Sequence, residues 1–125
     1  MNSDKVLSSL KAELNFVNQG GYRNQNGWRP PLYFEDSMIC RRNRHLSCRT
    51  CGCALISFVP DASRFEATAC RHIPLTTNGE TLEDLYRTGT IEETETAVRS
   101  WLRHVIRDLE STNMHRHNDA NTRVA

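Results

Sequence analysis

No run in this sequence approaches the roughly 18 consecutive apolar residues that a membrane-spanning helix requires. The N-terminal stretch is broken by Lys11 and Glu13 before it could act as a secretory signal. The expectation is a cytoplasmic protein with no membrane partner. Apolar side chains are also sparse, at 38% of the chain with aromatics at 7%, against a usual apolar share of about 45–50%. A core that lean gains more than most from a covalent or metal cross-link. An excess of either charge is missing as well: 16 basic residues face 15 acidic ones, a formal net charge of +1. That balance argues against a dedicated polyanion binder and leaves room for a local basic patch. Lysine is nearly absent, with only Lys5 and Lys11, and the other basic residues are arginine. There is no internal repeat, and 125 residues is the length of one domain.

Cysteine, by contrast, is concentrated. All five cysteines fall between Cys40 and Cys70, 31 positions, and the other 94 hold none. In a reducing compartment thiols bind metals or do redox work rather than pair, and an odd count leaves at least one unpaired in any case. The order is Cys40, then Cys48-Arg49-Thr50-Cys51-Gly52-Cys53, then Cys70 and His72. C-x-x-C puts two sulfurs on one side of a tight turn, whose following amides can donate to the first thiolate. Gly52 permits the close backbone approach that such a turn makes.

Residues 48 to 52 thus resemble the knuckle of zinc ribbons and rubredoxins, at the level of this motif alone. Zinc takes four tetrahedral ligands, and the expected set is Cys40, Cys48, Cys51 and Cys70, with Cys53 and His72 as alternates. No open coordination position is evident, so the expected role is structural. Four thiolates could equally hold iron or an iron–sulfur cluster, although the spacing departs from that of plant-type ferredoxins.

The rest of the chain is read around this site. Residues 3 to 19 form a helix, with Val6, Leu7, Leu10, Leu14 and Val17 on one stripe and Gly20-Gly21 ending it. Residues 20 to 31 are loop, with Trp28 folding back on the core. Leu32 to Ile39 reads as a short strand delivering Cys40. Glu35 and Asp36 within it would point to opposite faces, which makes them a poor acid pair. Ala54 to Val59 is apolar and rich in β-formers, and Pro60-Asp61 closes it. In residues 64 to 70, Phe65, Ala67 and Ala69 alternate with Arg64, Glu66 and Thr68. The pair predicts a hairpin over 53–70 with Cys53 opposite Cys70 and Cys51 opposite His72.

A short helical turn is expected at Leu82 to Tyr86. Thr90 and Glu93 form a capping box for a second long helix, whose stripe is Val98, Trp101, Leu102, Val105, Ile106 and Leu109. Glu95 and Arg99 would be an exposed pair on it. It should stop near Glu110, and 111–125 reads as a disordered tail. The expected fold is therefore α+β. A small antiparallel sheet, made of the hairpin and the 32–39 strand, packs with an N-terminal and a C-terminal helix in one domain over 1–110, pinned by metal.

No catalytic set stands out. Ser47 and His45 beside Cys48 lack a third partner and an oxyanion hole. Met114, His115 and His117 in the tail form a weak metal motif, and His104 is expected at the surface. The function expected is a non-enzymatic small zinc-binding protein with a protein–protein or regulatory role. One alternative is a redox or electron-transfer protein carrying iron. The other is a nucleic-acid-binding zinc module using the Arg41–Arg49 patch, where Arg41, Arg42, Arg44, Arg49 and Arg71 crowd the cysteines. Those arginines could equally offset the negative charge of a thiolate-bound metal.

Overall fold

A computed structural model describes residues 3–23, 31–37, 39–40 and 53–124. The helix expected at the N-terminus is present as α1 (Ser3–Asn18). It ends in a Schellman turn, with Gly20 at φ 74°. There the Gly20 amide reaches Val17 O at 3.0 Å and the Gly21 amide reaches Phe16 O at 2.8 Å. Leu10 and Val17 are buried on its stripe, with Val6, Leu7 and Leu14 partly so.

Two further helices follow late in the chain, α2 (Leu82–Thr88) and α3 (Ile91–Val124). Both are started by capping boxes. Thr81 and Asp84 exchange side-chain and backbone bonds at the head of α2. Thr90 Oγ1 accepts from the Glu93 amide at 3.1 Å, while Glu93 Oε1 accepts from the Thr90 amide at 3.0 Å. α3 buries Val98, Trp101, Leu102, Val105 and Ile106. Its course corrects the expected stop near Glu110: no glycine or proline interrupts the sequence after Ile91, and the helix continues to Val124.

The main correction concerns the sheet. Among the described residues there is no strand, and the fold is helical rather than α+β. In place of the strand expected over 32–39, residues 32–37 form a tight turn. The Asp36 amide returns to Leu32 O at 2.9 Å, and buried Phe34 takes a left-handed φ of 70°. The stretch 54–59 is a turn running into a 3-10 helix over Ile56–Phe58. Its burial has helical spacing, since Leu55 and Val59 are buried four residues apart while Ser57 is exposed. A short apolar run fits either conformation, and without a partner strand its amides close i to i+3 turns instead.

Residues 61–72 are likewise 3-10 helices, over Asp61–Ser63 and Ala69–His72, joined by turns. The alternation there does not divide two faces: Phe65 is 77% exposed while Ala69 is fully buried. The hairpin register that set Cys53 opposite Cys70 has no ladder to carry it, and the Cys51–His72 pairing involves a residue outside the described ones.

The core lies between α1 and α3, which pack along one another, and it is closed at one end by the 33–37 turn. Phe34 and Phe58 both meet the Trp101 ring edge-on, with centroids 5.9 and 5.3 Å away. The 3-10 helix Ala69–His72 packs against α2 and against Ile56–Phe58. It is the element that ties the cysteine-bearing region to the helices.

Candidate metal centre

Cys40 is positioned through a chain of hydrogen bonds that begins on α1. Glu13 lies on the apolar stripe of that helix, three residues after Leu10 and four before Val17, and is 3% exposed. Its carboxylate accepts from the Tyr22 hydroxyl and, at 2.7 Å, from Ser37 Oγ. The Tyr22 oxygen in turn accepts from the Phe34 amide at 2.8 Å, which holds that residue in its left-handed conformation. Ser37 Oγ accepts from the Ile39 amide at 3.3 Å, and Ser37 O accepts from the Cys40 amide at 3.3 Å. Burial pushes the Glu13 carboxyl above the usual carboxylate range, and the bonds donated by Tyr22 and Ser37 offset part of that rise. Burial, and then the charge of Glu13, push the Tyr22 phenol up.

Cys70 sits on the 3-10 helix Ala69–His72 and is 8% exposed. The next residue fixes that helix in place. Arg71 donates from Nε to Glu35 Oε2 at 2.9 Å and from Nη2 to Glu35 Oε1 at 3.1 Å. Its guanidinium also lies over the Tyr86 ring, 5.6 Å from the centroid. The side-chain bond to Glu35 raises the Arg71 pKa further. The Tyr86 hydroxyl accepts from the Tyr33 amide at 2.7 Å, so α2, the 33–37 turn and the Cys70 helix converge here. Burial raises the Tyr86 phenol, with Glu35 and Cys70 adding to the rise. Arg71 is therefore spoken for by Glu35 rather than presented to a polyanion. Glu35 and Asp36 do not act as a pair either, since Asp36 Oδ2 accepts from the Leu32 amide at 2.8 Å.

Cys53 carries a feature that was not legible in the spacing. The Leu55 amide donates to its sulfur at 3.4 Å. An amide two residues after a cysteine can donate in this way to a thiol or to a metal-bound thiolate alike. Half-buried His72 ends the same 3-10 helix as Cys70, which packs against α2.

Cys40, Cys53 and Cys70 are thiols rather than members of disulfides. Among the described residues no group of three or more cysteines, histidines or carboxylates is gathered for a metal. Cys40, Cys53, Cys70 and His72 therefore make no site by themselves. Cys48 and Cys51, the pair the site is read around, lie outside the described residues, as do Arg41, Arg42, Arg44, Arg49, His45 and Ser47. Trp28 and the side chains of Met114, His115 and His117 lie outside them too. His104 is at the surface, with Nε2 3.3 Å from Asp108 Oδ2.

A second buried carboxylate, Glu95, acts on the 33–37 turn through Tyr33. Glu95 is 2% exposed, so its expected exposure is corrected. It takes an ion pair from Arg23 and lies 3.8 Å from the Arg99 guanidinium. Tyr33 is 1% exposed and its hydroxyl has no hydrogen-bond partner among the described residues. Burial first, and then the charge of Glu95, push that phenol up to about 12.

No protein-family model, curated protein or solved structure matches this chain. Among the described residues no helix is long and apolar enough to cross a membrane.

Proposed function

We propose that this chain is a non-enzymatic module whose cysteine-rich segment is held by a structural zinc ion and which acts by binding another protein. The observation that carries the reading is the character of the backbone around the thiols. From Cys53 to Thr81 the described backbone bonds join residues no more than five apart, in turns and 3-10 helices. Such a stretch has no ladder to stabilise it. Short 3-10 pieces have poorer hydrogen-bond geometry than an α-helix, so a cross-link at its thiols contributes directly to folding.

Cys48 and Cys51 supply the first two ligands of the proposed site, and the other two come from Cys40, Cys53, Cys70 and His72. Cys53 is taken as one of them, and the amide bond that its sulfur receives is compatible with that role. Zinc suits four such donors and needs no redox partner.

Elemental analysis of the purified full chain tests this. About one zinc per chain is expected, with Cys48→Ser and Cys51→Ser each abolishing it and Cys53→Ser weakening it. Protein free of zinc would sink the reading. Visible charge-transfer absorption together with bound iron would replace it with the redox alternative.

A further inference from the structure

We infer that the groove between the 74–80 loop and α3 is a docking site for a basic segment of a partner protein that carries apolar anchor residues. None of the described cysteines lines this groove, whose volume is about 900 Å³. Its floor is apolar: Leu75, Leu85 and Trp101 line it and are themselves nearly buried, so each offers the groove one edge of its side chain. Its rim is acidic. Glu80 stands on the loop, with Glu92 and Glu93 on the first turn of α3, and no lysine or arginine is among the lining residues.

Charge complementarity selects the occupant. The chain as a whole is close to neutral and rich in arginine, so three carboxylates along one groove with no lysine or arginine are a local departure from its composition. The one histidine in the lining, His104, is turned to Asp108, with Nε2 3.3 Å from its Oδ2. Of the three, Glu93 is half-engaged, accepting the Thr90 amide in the capping box, and Glu80 Oε1 lies 3.4 Å from the Thr76 hydroxyl. Glu92 remains at the rim as an exposed carboxylate. An apolar floor gives affinity by excluding water, and like-signed rim charges decide which segments are admitted. A segment with one or two large apolar side chains flanked by lysine or arginine satisfies both. An acidic or neutral amphipathic segment would meet the same floor and be repelled or unassisted at the rim.

The assignment rests on the protein-binding part of the reading above and not on the metal, so zinc analysis and the following test can fail separately. A display library of random dodecapeptides is selected on the full chain as purified, whatever its metal content. Recovered peptides are then titrated against wild type, Glu80→Lys/Glu92→Lys, and Ser100→Trp, an exposed lining position where a ring would fill the groove. Circular dichroism checks that each variant keeps its helices, and Glu80→Gln/Glu92→Gln serves if charge reversal impairs folding. Enriched peptides should be net basic with apolar residues. They should bind at least about tenfold more weakly to each variant, and lose affinity as salt is raised. Enrichment of acidic or neutral peptides, no enrichment, or equal binding to wild type and variants would overturn the assignment. So would a dimer in sedimentation that Ser100→Trp dissolves, because the occupant would then be a second copy of the chain.

Discussion

Tyr22 does three things with one hydroxyl. It donates to buried Glu13, accepts from the Phe34 amide, and thereby fixes a turn whose central residue is left-handed without being glycine. Removing that oxygen leaves a buried carboxylate short of a donor and a buried amide short of an acceptor. Tyr22→Phe is expected to cost about 3 kcal/mol, which a shift of the urea unfolding midpoint at constant slope would report. Glu13 gives a pH dependence whose sign follows from linkage. Its folded pKa lies above its usual 4.5, so between these two values the folded state holds the extra proton. Its contribution is fully present below pH 4.5 and is lost as pH rises through the raised value. Glu13→Gln should therefore flatten the decline of stability over that interval, in unfolding curves taken at steps upward from pH 4.5. Glu13 and Glu95 both fall at stripe spacing, which by itself does not say whether a carboxylate is buried. Glu13 falls between Leu10 and Val17, and Glu95 three residues before Val98. A carboxylate on a stripe is discounted when its donors are distant in sequence, and Arg23 is 72 residues from Glu95.

At the scale of elements, helices were legible and the middle of the chain was not. α1 and the start of α3 announce themselves through periodic apolar residues and local end signals: Gly20 in its left-handed turn, Thr90 with Glu93. Those interactions span five residues or fewer, so the sequence contains both partners of each. Thr90→Ala should cost about 1 kcal/mol in thermal or urea unfolding. It should leave the helical circular dichroism of the folded state nearly unchanged, because the remaining turns of α3 are held by packing on α1. Residues 54–70 had the composition of strands but no described strand to pair with, and β-propensity expresses itself only against a partner surface. One contact that joins that region to the 32–37 turn spans 36 residues, the two-pronged Arg71–Glu35 pair. A double-mutant cycle on Arg71→Ala and Glu35→Ala is expected to give a coupling of about 1 kcal/mol. Independent, additive effects would mean the pair does not anchor the turn.

For the whole molecule, a lean core is divided between a pair of packed helices and a stretch of turns bearing Cys53 and Cys70. If zinc holds those turns, chelation should lower the melting temperature by at least about 5 °C, the effect of losing roughly 1 kcal/mol in a domain of this size. Differential scanning calorimetry with and without chelator measures it, and an unchanged melt would remove the structural role. By itself, the amino-acid order determined where the long helices begin, where α1 ends, which faces of them are apolar, and that chemistry-bearing thiols cluster in one quarter of the chain. These depend on neighbours within a few positions, whose interactions are the same in any surroundings. Tertiary structure alone decided that the apolar run after Cys53 coils instead of extending, that Glu13 and Glu95 are interior, and that Arg71 is bound to Glu35. Each of those outcomes depends on a group brought near, or kept away, by the packing of distant segments, and the burial that results sets which conformation and which charge state is the stable one.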